Sequence, residues 1–275
     1  MFWKRLLSGI VLVLAALLLM LVGDIWLLFA VGILSLLGIY ELLRVFGLEK
    51  HPFAFAAYAG TLLFDLLLFP FNMNNEIWTW AVLILVFVVM LVIYVFRYPK
   101  DKIDQVAKCA FSFVYVTVLM SYIYQIRCLN EGEWLVWLVL IGSWGSDTCA
   151  YVVGMLIGKH HFTELSPKKT IEGCVGGIVG AALIGFIFAF FFPAQELLIF
   201  SPNLVFPIIM AICALVSQIG DLAASAIKRN YDIKDYGKVI PGHGGILDRF
   251  DSVLFVAPFV YYLLILFATI EVYIS

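Results

Sequence analysis

Long apolar runs, separated by short polar stretches, dominate the chain. A membrane-spanning helix needs about 20 mostly apolar residues. Nine segments meet that requirement: residues 6–22, 25–45, 53–71, 77–96, 106–126, 134–157, 172–192, 203–227 and 252–273. The second and sixth are long enough to tilt or to end in the interface. Gly23–Asp24 leaves room only for a tight hairpin between the first two. Pro52, Pro70, Pro99, Pro167, Pro193, Pro202 and Pro241 fall in or beside the polar stretches, where a missing N–H costs least. Pro207 and Pro258 lie inside apolar segments, which neighbouring helices tolerate. No repeat of fixed period and no low-complexity linker is visible. The pattern predicts an all-α, polytopic membrane bundle of about nine spans.

Composition sharpens this. The chain is 64% hydrophobic and 13% charged, against about 45–50% and about 25% in soluble domains. Its aromatic content of 16% suits a protein anchored at two lipid–water interfaces. A net charge of −2 excludes a strongly basic nucleic-acid binder. Cys109, Cys128, Cys149, Cys174 and Cys213 are far apart, most of them inside apolar runs. They read as buried thiols rather than disulfides or metal ligands. Lys4 and Arg5 precede the first run as in a signal peptide, but another apolar run comes at once. A retained first helix is expected.

Charge placement sets the orientation. With the N-terminus inside, Arg127 is the sole Lys or Arg outside, out of 17. Cytoplasmic loops collect these residues, so the prediction is N-terminus inside and C-terminus outside. Residues 1–130 then hold five N-terminal spans. Residues 131–275 hold the other four spans and two cytoplasmic loops, 158–171 and 228–251, in which the candidate chemistry of the chain is concentrated.

Those two loops are rich in Lys, Arg, Ser, Thr and Gly, which handle phosphate, and in carboxylates, which hard cations such as Mg2+ prefer. Asp147 and Asp221 stand out because they lie within apolar helices, where a carboxylate costs at least a few kcal/mol without a polar cavity or partner. Helical spacing puts Ser217, Asp221, Ser225 and Lys228 on one stripe, and Ser143, Asp147, Tyr151 and Gly154 on another. The serines serve equally well as helix-packing contacts. Gly242, Gly244 and Gly245 permit close backbone approach to an anion, or simply a tight turn into the last helix. Asp248 and Asp251 are three apart, with Arg249 beside them. Asp221 and Asp248 could together hold a metal against a triphosphate. The run from Lys228 to Lys238 is also compatible with a solvated face on anionic lipid. His243 is a candidate base or phosphate donor, though a lone loop histidine is more often structural. His160 and His161 mark a wet interface, Asp65 belongs to no motif, and Glu41 and Arg44 are spaced to pair.

The run through Ser225, Lys228-Arg229, Lys234-Asp235, Gly237, Ile240-Pro241, His243-Gly244-Gly245, Asp248-Arg249 and Asp251 resembles the C-terminal motif of the phosphatidate cytidylyltransferases, also called CDP-diglyceride synthases. Ser166 to Gly173 and the preceding S-D-T-C-A-Y are similar to that family too, whereas the first five segments match it only in general character. The resemblance implies CTP + phosphatidate → CDP-diacylglycerol + pyrophosphate, dependent on Mg2+. It also implies a two-cation site, with K+ a candidate for the second ion, and a homodimer in the membrane. On this resemblance Asp221 and Asp248 are metal ligands supported by Asp147 or Asp251. Lys168, Lys169, Lys228, Arg229 and Arg249 then hold phosphates beside Gly244 and Gly245, while Ser225 and His243 orient the site.

Two other classes fit parts of the pattern. A CTP-dependent polyprenol kinase or another lipid-phosphate transferase would use similar groups. An ion-coupled transporter would also carry intramembrane aspartates, but transporters often show inverted repeats and none is found.

Overall fold

The computed structural model describes residues 2–68, 76–161, 163, 165–167, 169–192, 201–240, 242 and 244–274. Among these, regular structure is helical, with two isolated bridges, His161 to Thr170 and Ile240 to Gly244. The helices are α1 (Phe2–Val22), α2 (Asp24–Val45), α3 (Pro52–Leu68), α4 (Glu76–Arg97) and α5 (Ile103–Arg127). They continue with α6 (Gly132–Ile157), α7 (Ile171–Ala189), α8 (Pro202–Asn230) and α9 (Leu247–Ile274). Each expected span coincides with one of them, although residues 69–71 of the third lie outside the described residues. Among the described residues seven helices are long and apolar enough to cross a membrane, while Val11–Val22 and Pro52–Leu68 are shorter apolar helices. The chain is therefore an all-α polytopic membrane protein.

Two compact units divide the chain. The first comprises residues 1–128 with 231–249; the second comprises 129–230 with 250–275. In the first, Gly23 takes φ +66°, and α2 starts at the next residue. The hairpin is as tight as the sequence requires, and a Cβ on Gly23 would meet the Arg127 guanidinium at 2.5 Å. The Thr61 and Thr117 hydroxyls, 2.7 Å apart, tie α3 to α5 inside the core. At the polar end, Asp101 pairs with Arg97 and lies 3.3 Å from His51 Nε2. The Arg97 hydrogen bond, aided by His51, holds the Asp101 carboxyl below the usual carboxylate range. Lys108 sits over the rings of Phe46 and Tyr231, at 5.7 and 5.6 Å, a cation–π contact that holds residue 231 against this unit.

In the second unit, α7 lays its glycines against α6. A Cβ on Gly176 would fall 2.5 Å from Val153 Cβ, and one on Gly180 would fall 2.5 Å from Cys149. Small residues of this kind let helix backbones approach closely where no water drives association. The long helix α8 contains Pro207 near its start. Its 29 residues span about 44 Å, more than the ~30 Å hydrocarbon core, so one end must leave it. The terminal turn carries Lys228 and Arg229, whose charges suit a helix C-terminus. All five cysteines are free, with Cys109 and Cys213 buried.

Candidate active site

The second unit contains a cavity of about 360 Å3, and Asp147, Tyr151, Lys169, Thr170, Gln218 and Asp221 are among its walls. Three elements bring them together. In α6 a π-helical stretch, Ile141–Gly145, immediately precedes Ser146 and Asp147. A wider turn of this kind rotates the helix beyond it, and Asp147, Tyr151 and Gly154 then line the cavity as their spacing predicts. Ser143 does not join them. It is buried, and its hydroxyl donates back to the Val139 carbonyl at 2.6 Å, a common use for a serine within a helix.

Lys169 comes from the loop before α7, and the loop's folding explains its reach. Thr170 caps α7 by accepting from the Gly173 N–H at 3.1 Å, the hydrogen bond expected of an N-cap threonine. Two residues after the cap, Glu172 accepts from the backbone N–H groups of Lys159 and His160 at 3.1 and 3.2 Å. Its other oxygen lies 2.6 Å from His160 Nδ1. The His160 carbonyl accepts from the Ile171 N–H at 2.9 Å. Glu172 and Thr170 thus clamp both ends of the loop, and Lys169 is fixed one residue before the cap. Its ammonium lies 2.6 Å from Asp221 Oδ2. Lys168 lies outside the described residues.

Helix α8 contributes Asp221 nine residues before its end, about 14 Å along the axis. Gln218, one turn earlier, also lines the cavity and donates to the Cys174 carbonyl at 3.0 Å. The expected stripe stepped by four residues through Ser217 and Ser225 and so passed over Gln218; the i−3 neighbour of Asp221 was the available signal. Ser217, Ser225 and Lys228 are not among the cavity walls.

Three carboxylates feel one another in this unit. The charges of Lys169 and Asp221 act on Asp147, and those of Asp221, Lys228 and Asp147 act on Asp251. The Ser252 hydroxyl reaches Asp147 Oδ2 at 3.4 Å, while Asp251 Oδ1 accepts from the Ser252 N–H at 2.8 Å. Among the described residues no three such side chains form a ready-made metal cage. That donor set still fits Mg2+, which is typically held by one or two carboxylates together with substrate phosphates rather than by an all-protein cage. The Lys169 ammonium already marks a place where Asp221 faces positive charge.

The glycine-rich loop belongs to the first unit and is built around carboxylates. Gly242 and Gly244 take φ +81° and +88°, and the Ile240 N–H donates to the Gly244 carbonyl at 2.9 Å. Asp248 is buried, and its Oδ2 accepts from the Tyr236 and Gly245 N–H groups at 2.8 and 2.9 Å. The N–H of Gly245 is therefore committed within the protein. Arg249 is exposed in the first turn of α9, and His243 lies outside the described residues. Glu41, spaced to pair with Arg44, instead turns its carboxylate onto this loop.

A model described as the cytidylyltransferase family matches residues 3–267. A phosphatidate cytidylyltransferase of Bacillus subtilis (strain 168) is 34% identical over 276 residues, covering 96% of this chain and 98% of the relative. Its counterparts in Staphylococcus saprophyticus and Staphylococcus haemolyticus are 41% and 38% identical over 163 and 161 residues, each covering 58% of this chain and 59% of the relative.

Proposed function

Because this chain belongs to the cytidylyltransferase family, we propose that it transfers the cytidylyl group of CTP to phosphatidic acid, giving CDP-diacylglycerol and pyrophosphate. The observation that carries the proposal is the match over 96% of the chain to a phosphatidate cytidylyltransferase. The cavity beside Lys169 and Asp221 supports it chemically. A phosphatidate oxygen attacks the α-phosphorus of CTP, the bond from that phosphorus to the bridging oxygen breaks, and pyrophosphate leaves with the electron pair. The phosphate nucleophile is already ionised near neutral pH, so no strong base is needed. The barrier is repulsion between two polyanions and charge growing on the leaving group, which fixed positive groups relieve.

Each residue's role in this unit is set by its charge. Lys169 passes from Asp221 to an incoming phosphate and holds it against the α6–α8 wall. Gln218, anchored by the Cys174 carbonyl, presents a neutral polar group to the substrate. Asp221, with Asp147 and Asp251, would hold Mg2+, which supplies charge neutralisation at the phosphates. Asp248 is proposed as a ligand from the first unit's loop, one oxygen being committed to that loop. Lys228, Arg229 and Arg249 are proposed phosphate contacts, Ser225 a positioning hydroxyl, and K+ a second cation. The orientation with the N-terminus inside, the site on the cytoplasmic face and a homodimer complete the proposal. Its support is the distribution of Lys and Arg and, for the dimer, the family resemblance.

Pyrophosphate release from purified protein with CTP, Mg2+ and phosphatidic acid, omitting each in turn, tests the reading. Release that needs all three supports it. Release without phosphatidic acid, or ion flux in liposomes without CTP, refutes it.

A further inference from the structure

Glu41 stands on α2, far from every phosphate-handling motif in the sequence. It is nevertheless 2% exposed, and a buried carboxylate must be fully matched to persist. Its partners are backbone groups some two hundred positions away. Oε1 accepts from the Ile246 N–H and Oε2 from the Leu247 N–H, both at 3.0 Å. The loop is shaped to receive it. A Cβ on Gly237 would fall 2.2 Å from Glu41 Oε1, and one on Gly245 would fall 2.4 Å from the same atom. Two glycines of the C-terminal motif thus make room for an anion, and that anion is the protein's own.

Asp248 completes the arrangement. With Gly245 donating to Asp248 and the next two residues donating to Glu41, three successive N–H groups at the start of α9 are satisfied by two carboxylates. A helix N-terminus is a natural anion site; here it is filled from within. The backbone at Gly245 to Leu247 is thereby unavailable to substrate phosphate, and its role becomes structural.

We propose that Glu41 is a positioning residue for the cytidylyl transfer: its carboxylate fixes Gly237 and the backbone from Gly245 to Leu247 and so holds Asp248 and Arg249 in their working places. This rests on the reaction assigned above. An amide cannot replace the carboxylate, because its NH2 group would face one of the two N–H donors. Glu41→Asp keeps the charge but is a methylene shorter, so it cannot reach both groups without movement. Gly237→Ala attacks the same contact from the other side and leaves Glu41 in place.

The test uses the full-length protein in detergent or liposomes. In Glu41→Gln and Gly237→Ala, kcat should fall by about tenfold to a hundredfold, the range set by misplacing a group by about 1 Å. KM for CTP should change by a smaller factor than kcat, since of the proposed phosphate contacts only Arg249 is displaced, and Glu41→Asp should recover part of the loss. Amide hydrogen exchange over the peptide holding Ile246 and Leu247 should speed up by about tenfold or more in Glu41→Gln, since those donors lose their acceptor. Exchange needs no turnover, so it tests the contact even if the assigned reaction is wrong; a parent protein inactive with CTP and phosphatidate would sink only that assignment. Parent-like kcat in both variants overturns the proposal, as does unchanged exchange in Glu41→Gln. A loss carried entirely by KM would also overturn it.

Discussion

Asp221→Asn is the most informative single change, because it removes a charge and keeps the side chain's shape. In the parent, Lys169 and Asp221 meet at 2.6 Å with side chains 23% and 30% exposed. Breaking a fully buried pair costs about 3–5 kcal/mol and losing an exposed one about 0–1 kcal/mol, so this half-buried pair should cost about 1–3 kcal/mol. Most of that cost is the stranded Lys169 ammonium. Lys169→Met strands Asp221 in the same way, while Asp221→Asn/Lys169→Met leaves neither charge behind. The double variant should therefore be more stable than the two single losses sum to, with a coupling of about 1–2 kcal/mol. Turnover behaves differently. Each single variant loses an electrostatic group at the reacting phosphates, worth about a hundredfold to a thousandfold in kcat, and the double variant recovers none of it. Unfolding in detergent gives the first quantity and pyrophosphate release the second. Additive stability losses would show that the two side chains do not act as a pair. Recovery of turnover in the double variant would show that the pair matters only for folding.

The same geometry sets other expected outcomes. Thr170→Ala deletes the cap of α7 and should cost about 1 kcal/mol, with a larger fall in activity because Lys169 loses its anchor; equal stability and activity in the variant would contradict this. Gly176→Ala places a Cβ 2.5 Å from Val153 and should destabilise by about 1–3 kcal/mol through overpacking, read as a lower unfolding midpoint. The Asp101 carboxyl is held below its ordinary value of 3.8 by Arg97 and then His51. A depressed folded value means the stabilisation is complete above 3.8 and is lost as pH falls through the lower folded value. Asp101→Asn should remove that acid limb from a plot of unfolding midpoint against pH, and an unchanged limb would exclude Asp101 as its source.

Local physics made much of this legible in the sequence. Each apolar segment became a helix because a backbone in lipid has to satisfy its own hydrogen bonds, and Gly23 marked the first hairpin because the chain turns there at positive φ. Asp147 and Asp221 were visible as charges within apolar helices and Lys169 as part of a loop rich in phosphate-handling groups, and the cavity brings all three together. Helical stripes were less reliable. Ser143 spends its hydroxyl on its own backbone, and Gln218 lines the cavity in place of the serines chosen by spacing. The π-helical stretches at Phe113–Val118 and Ile141–Gly145 leave no pattern that periodicity detects. Glu41 was beyond reach for a different reason. Its partners are backbone N–H groups, which carry no side-chain signature, and two glycines near it. Of the two, Gly245 pointed in the sequence to a ligand's anion rather than to a carboxylate on α2, and Gly237 stood out only as a position of the motif.

The central claim is that Asp221 and its neighbours serve a cytidylyl transfer to lipid. CTP labelled at the α-phosphorus, incubated with the purified protein, Mg2+ and phosphatidic acid and then extracted into organic solvent, tests it most directly. Label should enter the lipid fraction with the parent protein and enter it at least about a hundredfold more slowly with a folded Asp221→Asn variant. Lipid labelled instead from the γ-position, or equal α-label with both proteins, would contradict the account.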